Sequence, residues 1–148
     1  MSDLIGRALP ANLVDLFTNR LTTVVVATVD NDGLPHTAPY NQLVAVDPGR
    51  LRLAINRQDE TYRALRDYGL TMIAVLEEGD IAAGIKGKAR VLRERMDTNC
   101  NLAVVEIEVE EIKRDNSPTH YVLSGVRTRH RGEPFLLRQR QIMAELRS

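Results

Sequence analysis

Residues 22–56 read TTVVVATVDNDGLPHTAPYNQLVAVDPGRLRLAIN, and this stretch decides the fold. The run from Leu21 to Val29 is rich in valine and threonine and apolar at successive positions, the pattern of a strand covered on both faces. Asn31-Asp32-Gly33 supplies a turn. A second extended run, His36 to Val46, ends at Asp47-Pro48-Gly49, where proline presets one turn dihedral and glycine accepts a positive one. Arg50 to Ile55 then alternates Leu51, Leu53 and Ile55. Three strands joined by two tight turns predict a meander, the start of an antiparallel barrel.

Outward from this stretch, Leu13, Val14, Leu16 and Phe17 have helical spacing and Pro10 stands just ahead of them, predicting a short helix over 11–19. After Asn56 the period changes: Tyr62, Leu65 and Tyr68 repeat every three residues and Gly69 stands where a helix would stop. Leu70 to Leu76 predicts a further strand, broken by Glu78-Gly79-Asp80. Between Ile85 and Val91, the inward set Ile85, Gly87, Ala89 and Val91 alternates with Lys86, Lys88 and Arg90. Val105, Ile107 and Val109 alternate likewise with Glu106, Glu108 and Glu110, predicting a strand half buried and half solvated. Those glutamates suit cross-strand pairing with the three basic residues. Glu133 to Arg147 aligns Phe135, Leu136, Gln139, Ile142, Met143 and Leu146 on one helical stripe. The expectation is a mainly β chain, a β-barrel with flanking helices, forming one domain over 1–148 with a barrel core over about 21–112.

Lysine plus arginine number 20 and aspartate plus glutamate number 20, which removes the electrostatic case for nucleic acid or an anionic membrane. Small molecules and copies of the chain remain as partners. The single cysteine, Cys100, cannot form an internal disulfide, and Met1-Ser2-Asp3 lacks the basic-then-apolar run of a signal peptide; a soluble protein of the reducing cytoplasm is expected. No apolar run is long enough to span a bilayer.

The order and spacing of Val25-Ala27-Thr28-Val29, Asp32 to Pro39, Arg50 to Leu53, Thr61 to Arg66 and Gly87 to Val91 resemble the FMN-binding split-barrel family typified by pyridoxamine 5'-phosphate oxidase. The resemblance implies a six-stranded antiparallel split barrel and a homodimer with FMN at the subunit interface. It also implies an oxidoreductase in which the flavin carries electrons between a reduced donor and a small acceptor. Position by position, it places the strand containing Thr37, Ala38, Pro39, Tyr40 and Asn41 along the flavin ring, and Asn56, Arg57, Gln58 and Thr61 at the phosphate. Physical chemistry supports the second group, because free amides at a helix start, a hydroxyl and a guanidinium are suitable donors to a phosphate. Pro39 fits either an interrupted ladder or an edge strand.

The chain departs from the family at Asp59-Glu60, where FMN-binding members usually carry arginine or lysine. Two other readings follow: a cofactor-free or ligand-sensing barrel without redox activity, or haem or a deazaflavin in the same groove. Pyridoxamine 5'-phosphate oxidase also uses an arginine and a histidine two residues later near its end, where this chain has Thr128 and His130. The basic run Arg127 to Arg131 has no interleaved aromatics and reads as a solvated or ion-paired loop. His36, His120 and His130 lack metal-ligand spacing. Cys100 has no basic neighbour and Ser124 lacks the glycine of a nucleophile elbow, so no residue is expected to act as nucleophile, acid or base.

Overall fold

The computed structural model describes residues 3–148; Met1 and Ser2, which enter the reading of the amino terminus, lie outside them. In chain order the elements are β1 (Asp3–Gly6), α1 (Ala11–Asn19), β2 (Val24–Val29), β3 (Pro35–Tyr40), β4 (Leu43–Asp47), β5 (Arg50–Asn56), α2 (Glu60–Asp67), β6 (Leu70–Glu77), β7 (Ile81–Arg93), β8 (Leu102–Arg114) and α3 (Glu133–Arg147). All eight strands join one sheet in the order β3-β2-β6-β7-β8-β5-β4, with β1 added to β8. Every pairing is antiparallel.

The two ends of that path are halves of one extended run, for only Asn41 and Gln42 separate β3 from β4. The sheet therefore closes through the chain itself, while among the described residues no hydrogen-bonded ladder joins β3 to β4, which makes it a split barrel. Taking β3 and β4 as one bent strand and setting β1 aside leaves the six strands of the resemblance. The predicted meander needs correction: the middle run does not lie between its neighbours along its whole length. Its first half pairs with β2 (Val26 opposite Ala38) and its second with β5 (Leu43 opposite Leu53). The pairing with β5 reaches back to the bend, where Ala54 N–H donates to Gln42 O at 2.9 Å.

Alternation of side chains builds two cores. Leu43, Leu51, Leu53, Ile55, Ala103, Val105 and Ile107 face the barrel interior, where Leu13, Leu16 and Phe17 of α1 and Tyr62 and Leu65 of α2 join them. The intervening Val44, Ala54 and Val104 face outward beneath Ile142, Met143 and Leu146 of α3. This second layer corrects the half-solvated reading of β8 at Glu106, while Glu108 is exposed as expected and Glu110 half-buried. Glu106 is only 4% exposed, because it lies between Arg52 (3.2 Å) and Arg90 (2.9 Å). Arg52 also donates to the carbonyls of Leu146 and Ser148 at the end of α3. The predicted cross-strand ion pairs form as Arg90 with Glu106 and Lys88 with Glu110 at 3.4 Å.

Two glycines allow close approaches between elements. Gly69 ends the helix with φ +68, and a Cβ there would meet Ala89 O at 2.9 Å. Gly87 sits at a register shift of β7 on β8, and its Cβ would lie 2.6 Å from the Ile107 side chain. The four-residue β1 carries no periodic signal of its own and was not legible in the sequence.

Candidate functional site

The turn from β5 into α2 positions the site. Asn56 accepts from Gln58 N through its side chain at 2.9 Å and from Asp59 N through its carbonyl at 3.1 Å, bending the chain into the helix. Asp59 then has the extended backbone of an N-cap, φ −70 and ψ 142, yet its side chain caps nothing. Its Oδ2 instead accepts the Tyr40 hydroxyl at 3.0 Å. Glu60 Oε2 lies 3.7 Å from His36 Nδ1. Both carboxylates that depart from the family are thus directed at β3. The first-turn amides of Glu60, Thr61 and Tyr62 have no side-chain acceptor among the described residues.

Thr61 is 1% exposed, and its Oγ1 has no hydrogen-bond partner. It lies close enough to the Tyr40 hydroxyl to favour the phenolate, yet makes no hydrogen bond of good geometry with it. Burial pushes the Tyr40 phenol up, the neighbouring Thr61 hydroxyl offsets part of that, and the Asp59 carboxylate raises it again, to about 12. Tyr40 is therefore a neutral donor to Asp59 throughout the physiological range.

Beside these groups a cleft of about 90 Å³ opens between α2 and the β2–β3 hairpin, lined by Thr28, His36, Glu60, Arg63 and Asp67 among others. The Thr28 hydroxyl is also buried and unpartnered. Arg63 is exposed; its guanidinium reaches Gln58 O at 3.4 Å, and its charge also acts on Asp67.

The nine residues nominated from the sequence divide by face. Thr37 and Pro39 point outward and are exposed, whereas Ala38 and Tyr40 point the other way and are half-buried, as alternation along a strand requires. Asn41 lies at the bend, its carbonyl 3.5 Å from Gln139 Nε2. Asn56 and Gln58 are exposed in the turn. Arg57 is held elsewhere: its Nη2 donates to Cys100 O at 2.7 Å and its backbone N–H to Asn101 O at 3.1 Å, both in the β7–β8 connection. Tyr40 and Thr61 therefore come together with Asp59, and Arg57 is drawn away. Thr28 gave no signal in the sequence, since threonine within a valine-rich strand is an ordinary β-former.

β3 is an edge strand, which accounts for Pro39. Pro35, Thr37 and Pro39 belong to one alternating class opposite Val29, Ala27 and Val25. Two of the three lack an amide hydrogen, so this class suits the free edge, where Thr37 is left as the amide donor beside carbonyl oxygens. The outer face of β2 and β6 is apolar and uncovered: Val25, Val29, Leu70 and Leu76 are 40–58% exposed. Beyond β8 an extended strap continues this surface. It is tied to the β6–β7 turn by Val122 N to Asp80 Oδ1 and Gly125 N to Glu77 Oε1, while Tyr121, Leu123 and Val126 remain exposed. No helix among the described residues is long and apolar enough to cross a membrane.

The family model of pyridoxamine 5'-phosphate oxidase matches residues 11–114. No curated protein matches the chain. Among solved structures it is similar to a pyridoxamine 5'-phosphate oxidase candidate of Lactobacillus delbrueckii, at 25% identity and a TM-score of 0.64 over 76% of this chain and 98% of the other. It is also similar to HupZ of Group A Streptococcus, at 22% identity and a TM-score of 0.61 over 78% and 99%. An F420 reductase matches at 13% identity and a TM-score of 0.54 over 66% and 94%. The last two likenesses speak for the fold alone.

Proposed function

This chain belongs to the pyridoxamine 5'-phosphate oxidase family, and from that premise we propose that it is a dimeric flavoprotein that binds FMN and passes electrons between a reduced donor and a small acceptor. The observation that carries the proposal is the start of α2, where uncapped amides meet the buried, unpartnered Thr61 hydroxyl. Amides of this kind are suited to a phosphate, and the macrodipole favours negative charge there.

In this reading the Thr61 hydroxyl and the amides of Thr61 and Tyr62 hold the phosphate, Gln58 flanks it, and the exposed Arg63 supplies the charge that Arg57 does not. A carboxylate about 4 Å from a phosphate costs roughly 1–4 kcal/mol, and the engagement of Asp59 by Tyr40 reduces that penalty. The ring lies against the exposed side of β3, at Thr37, Pro39 and the bend at Asn41, with Thr37 N–H and Asn41 as hydrogen-bonding groups. Bound flavin would supply the redox chemistry, accepting and releasing an electron pair, while this chain orients it and excludes water. The cleft of about 90 Å³ is well below the roughly 300–1,000 Å³ of ordinary cofactor sites. A second copy seated on the apolar outer face of β2 and β6, the face that carries Thr37 and Pro39, would cover the ring.

A second reading, a barrel that binds no flavin, is favoured by Asp59-Glu60 at the helix start and by the tether of Arg57 to Cys100. The absorption spectrum of freshly purified protein separates the readings. Flavin bands support the proposal, a Soret band identifies haem, deazaflavin absorption identifies that cofactor, and a featureless visible spectrum favours the cofactor-free barrel.

A further inference from the structure

Resting on the FMN reading above, we propose that Tyr40 is a positioning residue that keeps Asp59 off the anion site. An aspartate with the backbone of an N-cap has a default partner, the amide of the second or third helical residue. Here Asp59 has that backbone, φ −70 and ψ 142, without that bond. What it has instead is the Tyr40 hydroxyl at 3.0 Å, from the end of β3. Tyr40 is half-buried and therefore held in place.

The Asp59 carboxylate thus has two destinations. Turned to Tyr40, it leaves the Thr61 and Tyr62 amides free beside the unpartnered Thr61 hydroxyl. Turned to the helix, it would occupy those amides as an intramolecular anion and exclude a phosphate by both contact and charge. Tyr40 therefore acts through Asp59 rather than on the ligand. Its phenol stays protonated across the physiological range, so the restraint does not depend on pH there. Glu60 is also directed at β3, by His36 at 3.7 Å. That contact is long and exposed, so it exerts the weaker restraint.

The test is a double-mutant cycle read with two probes, FMN and riboflavin, which differ by the phosphate. Tyr40→Phe keeps the ring and removes the hydroxyl; Asp59→Ala removes the carboxylate. Tyr40→Phe is expected to weaken FMN about tenfold and leave riboflavin unchanged, and in the Asp59→Ala background it should change neither. Equal loss of both probes in Tyr40→Phe would overturn the assignment and make Tyr40 a ring contact; a loss of FMN alone that persists without Asp59 would overturn it and assign the effect to the neighbouring Thr61 hydroxyl. If wild-type protein binds neither probe, the FMN reading fails, and amide hydrogen exchange then decides the role of Tyr40. Slower exchange of the Thr61 and Tyr62 amides in Tyr40→Phe, reversed in the double variant, supports it; unchanged exchange overturns it.

Discussion

Thr61 and Tyr40 show how the site depends on single groups. A buried hydroxyl without a partner costs roughly 1–3 kcal/mol, and Thr61 keeps one next to the amides of α2. Replacing it by valine, of nearly the same shape, should raise the stability of the ligand-free protein by about 1 kcal/mol, measured by urea unfolding. The same change should weaken FMN about tenfold, or about 1.4 kcal/mol. For Tyr40, the folded value of about 12 stands above the ordinary 10.0. Its contribution to stability is therefore complete below pH 10 and is lost as the pH climbs to about 12. Tyr40→Phe should flatten that alkaline limb in an unfolding series. At this scale the sequence showed the local backbone of the candidate site without the orientations of its side chains. Asn56 to Thr61 are recognisable as the run into a helix, but Asp59 is turned by Tyr40 and Arg57 by Cys100 O. Both partners lie on other elements, where a local pattern carries no information.

Among the elements, α3 is docked by an electrostatic lock as well as by its apolar stripe. Glu145 accepts from the Thr98 hydroxyl at 2.6 Å and from the amides of Thr98 and Asp97 at 2.7 and 3.0 Å. Burial alone would raise the Glu145 carboxyl, but these hydrogen bonds and the Arg93 charge outweigh it and hold it below the ordinary value. Glu106 behaves alike, with burial outweighed by Arg90 and Arg52. Depressed folded values mean stability that is present above the ordinary glutamate value and lost as acid takes the pH down through the folded ones. Glu145→Gln should cost about 1–3 kcal/mol near neutral pH and make the acid limb shallower. Unfolding followed by circular dichroism at several pH values checks this. The stripe of α3 was legible in its period, since Gln139, Ile142, Met143 and Leu146 are buried as it requires. Phe135 and Leu136 on the same stripe remain 49% and 39% exposed, so the helix extends beyond the surface that covers it. The buried state of Glu106 escaped the alternation, because what covers the outer face of β8 arrives from the distant chain end.

For the whole molecule, the barrel was readable because apolar alternation and turn residues are local, whereas the change of neighbours at Asn41 and Gln42 is a property of closure. The valine-rich β2 reads as covered on both faces, yet in one chain Val25 and Val29 are 40% and 43% exposed. In the proposed dimer a second copy would cover that face. Leu76→Asp, at a site 57% exposed in the single chain, should leave the barrel folded and abolish self-association, and with it flavin retention; sedimentation checks the mass and absorbance the flavin. The FMN reading stands or falls on the titration of wild-type protein with FMN while its melting temperature is followed. It predicts a rise that continues as free FMN exceeds Kd, equivalent to about 2.7 kcal/mol at a hundredfold excess, with riboflavin giving less. A melting temperature that does not move with FMN, in protein that is colourless as purified, would contradict it.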